Sequence, residues 1–352
     1  MLSKLNPSTS LLPSSAIRSK PNNCGKITWP DCPSQKQDWS LPGCVIYYIA
    51  KNPLSAKCYQ KLVQTCKFFF EKNPILVVKK LYDYEEEDGV NTRICSNIND
   101  ECMKNNQTCC VQIDLHKLSS KIWLTEVLSA LHGTQDFMSF LCSKLFRCEI
   151  FCFKAKGKFI KYDDFKSLVS CAKGIYLFKC VIKYNGGNIV MLDKILELFP
   201  SNLEEIIVRF PDDISLINAS TMASILKLQN LGSLKNFELE GNPGNLNIKD
   251  LSAFITKNAH TFIQLCFRQM DIFKDYKNQL DGLINEIIES EVKNCIVEYE
   301  GQDERKFAIL YIRSWKFQYG SDDDEDMNED DDEYDDEDME EIVDEFLGMG
   351  FY

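Results

Sequence analysis

The sequence predicts a mixed α/β fold, in which a short N-terminal helical domain precedes a curved strand–helix array and both termini are disordered. Three observations predict it. Two amphipathic helical runs stand back to back within residues 41–74. An apolar-x-x-apolar-x-apolar pattern recurs six times between Leu145 and Val297. Between Asp322 and Glu345, 18 of 24 positions are Asp or Glu.

The acidic run explains the charge. The 352 residues carry a net charge of -13, and removing those 18 acids turns it into +5, so the body is mildly basic. Such a run reads as a solvated tail, spanning 319–352, because its self-repulsion opposes collapse. The first 38 residues are rich in Ser, Pro and Asn and also read as disordered. They lack acids before Asp31, as transit peptides do, but Pro7 and Pro13 interrupt the helix such a peptide needs. No apolar run approaches the roughly 18 residues of a membrane span. Sixteen cysteines are present without a single CxxC, and several fall in apolar runs (Cys66, Cys142, Cys180, Cys266) where a thiol packs as a small hydrophobe. This usage predicts a reducing compartment, cytoplasmic or nuclear.

The N-terminal helices are delimited by prolines. Leu41-Pro42 opens the first, since Pro is tolerated in an initial turn, and Asn52-Pro53 stops it. Val45, Tyr48 and Ile49 recur at i, i+3, i+4, one helical face. Ser55 is positioned to cap a second run, in which Tyr59, Leu62, Val63, Cys66, Phe69 and Phe70 keep the helical period until Asn73-Pro74. Two short helices cannot bury faces this wide against each other. Part of that surface must meet the rest of the chain or another protein.

The larger region keeps another period. The pattern falls on Leu145/Cys148/Ile150, Ala172/Ile175/Leu177, Leu203/Ile206/Val208, Leu234/Phe237/Leu239, Phe262/Leu265/Phe267 and Val292/Cys295/Val297. Successive starts are 27, 31, 31, 28 and 30 residues apart. Helical stretches such as "MLDKILELF" and "LSAFITKN" lie between them, and Ser220 stands as a cap before Met222. One strand and one helix per unit, stacked in parallel, gives an α/β solenoid over 111–318 in which each unit buries its apolar face against its neighbours. The Asn ladder of strict leucine-rich repeats is mostly absent, so the repeats are degenerate. Leu196, Ile225 and Phe254 are expected to face Val208, Leu239 and Phe267 across the core. Glu205, Arg209, Glu238 and Glu240 are expected on the exposed strand face. Residues 81–110 are polar and read as a linker, followed by an edge element near Val111, with Trp123 packing the first repeat.

The order Leu41-Pro42, Val45-Ile46, Ile49, Leu62 and Cys66-Lys67-x-Phe69 resembles the F-box. The wider stretch resembles the nematode-expanded F-box-like proteins that carry a leucine-rich-repeat-like C-terminal region. Gly43-Cys44 stands where an acid often follows Leu-Pro, and Phe69 stands where Trp is usual. The resemblance implies an F-box-like domain over 39–80 that binds a Skp-type adaptor, and through it a cullin, while the solenoid holds a protein substrate. Leu41, Pro42, Val45, Ile46, Ile49, Leu62, Cys66 and Phe69 would be the partner-binding residues. The competing reading is an interaction scaffold whose helical hairpin only caps the repeats.

Signals for catalysis are sparse. Gly186-Gly187 is a turn rather than a phosphate cradle, no nucleophile elbow appears, and His116, His132 and His260 lie far apart. No cofactor, metal, nucleic acid or membrane partner is expected, and the chain reads as non-catalytic.

Overall fold

The computed structural model describes residues 38–86, 89–95, 110–132, 134–212, 214–267, 272–290, 292–319 and Val343. The expected disorder of 1–38 and of the acidic tail therefore lies almost entirely outside the described residues. Among them, none of the helices is long and apolar enough to cross a membrane.

Three helices come first: α1 (Gly43–Lys51), α2 (Ala56–Thr65) and α3 (Lys67–Lys72). Ser55 caps α2 as expected, its hydroxyl accepting the Cys58 N–H at 3.2 Å. The second run, however, is two helices, because Cys66 is extended (φ -155°, ψ 125°). There the Thr65 hydroxyl donates back to the Leu62 carbonyl, a local bond that competes with helix continuation. The break turns Phe69 onto Ile46 and Ala50, so the three helices share a small core ringed by Trp39, Ile49, Leu62, Val63, Cys66 and Phe68.

A mostly parallel sheet follows. Its strands are β1 (Ile75–Glu86), β2 (Gly89–Cys95), β3 (Cys110–Ile113), β4 (Lys121–Ala130), β5 (Leu145–Cys148), β6 (Cys152–Lys156), β8 (Gly174–Phe178), β10 (Glu205–Arg209), β11 (Asn236–Asn242), β12 (Phe262–Phe267) and β13 (Cys295–Glu298). Two further short strands, β7 (Phe159–Lys161) and β9 (Val181–Lys183), pair with each other in parallel. The order β3-β2-β1-β4-β6-β8-β10-β11-β12-β13 follows the chain from β4 onward, with β5 paired beside β4. From β1 to β13 every neighbouring pair on this path is parallel. The antiparallel pairs are β1–β2 and β2–β3.

Helices link the strands: α4 (Phe137–Lys144), α5 (Tyr162–Val169), α6 (Leu192–Leu196), α7 (Thr221–Ile225), α8 (Ile248–Lys257) and α9 (Lys274–Glu289). Their buried residues, including Leu196, Ile225 and Phe254, share one core with Ile175, Ile206, Val208, Phe237, Leu239 and Leu265 of the strands. The helices therefore cover one face of the sheet, which we term inner. The last helix, α10 (Glu304–Tyr319), packs against β13 and β12 and adds Leu310 to that core.

Polar side chains stitch each turn to the one before. Asn230 donates to the Leu196 and Phe199 carbonyls, Thr261 to Leu234, and Asn294 to Asn258 and Thr261. Buried turn carbonyls need such donors. A second cross-link is the ion pair of Lys158 with Asp83 at 3.3 Å, both side chains almost completely buried.

Several expectations need correction. Residues 81–86 and 89–95 are not linker: β1 and β2 run through them, and the alternation of buried Leu81 and Asp83 with half-buried Tyr82 is a strand's, while 96–109 of the expected linker lie outside the described residues. Residues 75–80 likewise belong to the sheet rather than to the helical domain. The edge element is β3, whereas β4 lies inside the sheet. Strand register also departs. Val208 pairs with Leu239, but Leu239 pairs with Leu265, and Phe267 pairs with Asn242. Leu265 and Phe267 point to the same face, and a period of two identifies the face without identifying the register. At the N-terminal end, Leu145–Cys148 pairs with β4 off the main path, and Phe153 and Ala155 hold the places opposite Ile175 and Leu177. Ser220 makes no capping bond through its side chain; the Asn218 side chain accepts its N–H instead. Val343, inside the stretch expected to have no buried contacts, is 1% exposed and packs on Ala308 and Ile312.

Candidate protein-docking surface

The helical domain is fastened to the sheet through a buried joint. Tyr59, Ile75 and Trp123 form a buried cluster, flanked by Ala56, Val63, Val77 and Phe146. The Tyr59 hydroxyl donates to the Asn73 carbonyl at 2.6 Å and accepts the Ile75 N–H at 3.1 Å. Asn73 in turn donates to the Ala50 carbonyl at 3.0 Å, tying the end of α1 to the same point. Trp123 is completely buried in this joint, so it packs between domains and not solely within the first repeat. Its indole N–H donates to Glu149 at 2.9 Å, and the Arg147 guanidinium lies 4.8 Å from its ring centroid.

Away from the joint, the start of α1 is open. Leu41 is 49% exposed, Val45 39% and Tyr48 67%, and Pro42 is also exposed. The Val45 N–H donates to the Pro42 carbonyl, so Leu41, Pro42 and Val45 run as one exposed stripe. Ile49, Leu62 and Cys66 are half-buried beside it. Ile46 and Phe69 are not available for contact: both lie in the helical core and support the stripe from beneath. Trp39 was not anticipated. Its ring sits 5.7 Å from both Phe68 and Phe69, and its position just before Leu41-Pro42 was the available signal. Lys51, Lys57, Lys61, Lys67 and Lys72 surround the module with Glu71 as the only acid between Gly43 and Lys72, so its rim is electropositive.

A second surface lies on the outer face of the sheet. Tyr176, Ile207, Glu238, Gln264 and Ile296 form one row across β8–β13. Most charges there are paired. Glu204 accepts from Lys173 and Lys235 at 2.8 and 2.9 Å, and these two cations hold its carboxyl down to about 2. Arg209 pairs with Glu240. Glu238 differs: burial pushes its carboxyl up, and Asn236 offers it a hydrogen bond at 2.7 Å. Of the four residues expected on this face, Arg209 is exposed, while Glu205, Glu238 and Glu240 are half-buried. Near Glu205 and Glu238 the face is partly roofed by α10, which brings Tyr311, Trp315 and Tyr319 over it. That covering was not legible in the sequence.

No protein-family model matches the chain, and no curated protein matches it in sequence.

Proposed function

We propose that this chain is the substrate-receptor subunit of an SCF-type ubiquitin ligase, with an F-box-like helical domain that binds a Skp-type adaptor. In this reading residues 111–318 are a degenerate leucine-rich-repeat-like solenoid that holds the substrate. The chain itself is non-catalytic, and rate enhancement comes from proximity within the assembled ligase.

One observation carries the reading. The helical domain is pinned through Tyr59 and Trp123 while Leu41, Pro42 and Val45 at the start of α1 stay in solvent. A hairpin that merely capped the repeats would turn its widest apolar face inward. Stable interfaces bury about 1,600 Å² in total, with a few apolar anchors dominating the energy. The exposed stripe suits that use, and the lysine rim favours a partner whose apolar groove has acidic margins.

The test is co-purification of the adaptor with the full chain and with the double variant Leu41→Ala, Pro42→Ala. Both positions are exposed, so the fold should survive and adaptor capture should be lost. Undiminished capture by the folded double variant would sink the proposal and leave the scaffold reading, for which the Tyr59–Trp123 joint speaks.

A further inference from the structure

Where α10 crosses the outer face of β12 and β13, a cavity of about 550 Å³ remains. Glu205, Asn236 and Glu238 line it from the strands, and Tyr311, Trp315 and Tyr319 line it from the helix. The Asn236 amide N–H₂ donates to both carboxylates, at 2.7 Å to Glu238 and 3.4 Å to Glu205, so the two acids converge on one point. Glu205 also accepts the Tyr176 hydroxyl. Neither acid has an ion-pair partner among the described residues: Arg209 pairs with Glu240, Lys173 and Lys235 with Glu204, and Lys154 lies over the Tyr176 ring. The remaining Asn236 oxygen is buried without a hydrogen-bond donor.

Two carboxylates thus line one cavity, bridged by the Asn236 amide. A desolvated carboxylate without a cation is unfavourable unless something positive completes it. An ammonium group brings three N–H donors and no acceptor, and a guanidinium brings five. The walls suit the same guest. Trp315 and Tyr319 are largely exposed although they adjoin the cavity, and aromatic faces attract a cation held within about 6 Å.

We propose that this cavity receives a lysine or arginine side chain of the protein held on the strand face, so that captured proteins present a basic residue there. The proposal rests on the substrate-receptor reading and specifies its substrate class. A protein segment is favoured over a free polyamine because the cavity adjoins the row Tyr176, Ile207, Glu238, Gln264 and Ile296, along which an extended chain can continue.

The experiment uses the full chain and a peptide of alternating Lys and Ala carrying a photo-crosslinker, at physiological salt so that the acidic tail is screened beyond about 8 Å. Crosslinks mapped by mass spectrometry should fall on α10 between Tyr311 and Tyr319. The isosteric pair Glu205→Gln, Glu238→Gln should reduce them by roughly tenfold, and Trp315→Ala should reduce them while Trp315→Phe retains most. Crosslinks confined to residues 322–345, labelling unchanged in the double Gln variant, or full displacement by equimolar spermine would each overturn the proposal. The same preparations are assayed for adaptor capture. For the unsubstituted chain, absence of labelling on α10 with adaptor captured refutes the pocket alone, and labelling of α10 with adaptor absent refutes the ligase reading alone.

Discussion

Tyr59 and Asn73 make the joint of the molecule: one buried phenol holds the backbone at the end of α3, while the Asn73 amide holds the end of α1. The same hydroxyl accepts the N–H of Ile75, the first residue of β1. The hydrogen bonds that join the helical domain to β1 therefore converge on the Tyr59 hydroxyl.

Tyr59→Phe should test that. It removes one oxygen and leaves the Ile75 N–H and the Asn73 carbonyl without their partner, and an unsatisfied buried group costs about 1–3 kcal/mol. The midpoint of urea unfolding should fall accordingly. If the joint couples the domains, the Trp123 signal and the helical signal should still move together; two separate transitions would show that the domains unfold independently.

Alkaline pH should destabilise the fold. Burial raises the phenols of Tyr59, Tyr176, Tyr276 and Tyr299, and Glu205 and Asp281 add to it at Tyr176 and Tyr299. A phenol raised in the native state stays protonated where the unfolded chain has already ionised. Its contribution is therefore intact below the unfolded value near 10 and is lost as pH rises beyond it. Urea midpoints should decline from about pH 9 upward, where the buried thiols of Cys142, Cys148 and Cys266, pushed up by burial, join the phenols. A flat profile across that window would contradict the burial of these hydroxyls.

Leu239→Ala should cost about 2–5 kcal/mol, because a fully buried side chain at the centre of the parallel array leaves a cavity that its neighbours cannot fill. Val208 and Leu265 flank it in register. Calorimetry of the variant should show a lower melting temperature, while adaptor capture by the distant stripe persists at temperatures where the variant is folded.

The C-terminal end should matter for stability. Val343 is buried against Ala308 and Ile312 of α10. Burying such a side chain is worth about 1.5–3 kcal/mol, so Val343→Asp should lower the melting temperature by several degrees. A chain ending before Asp322 should lose the same contact. An unchanged melting curve in both would show that the contact contributes nothing.

The amino-acid sequence alone determined the alternation of strands and helices, the parallel neighbours Val208 and Leu239, and the three apolar positions Leu41, Pro42 and Val45 that stay exposed. These follow from local rules: a period of two or 3.6 assigns faces, and Pro and Ser mark helix ends. Only the tertiary structure decided the rest. Phe262 is apolar yet belongs to the outer face, where α10 shields it, and that shielding made the repeat in β12 legible two residues out of step. Glu205 and Glu238 looked like ordinary solvated charges; the return of the last helix over the sheet turned them into the lining of a cavity. Ile46 and Phe69 looked like contact residues and became the support beneath them, because the break at Cys66 swung α3 onto α1. In each case the deciding contact joins residues distant along the chain, and no local periodicity records it.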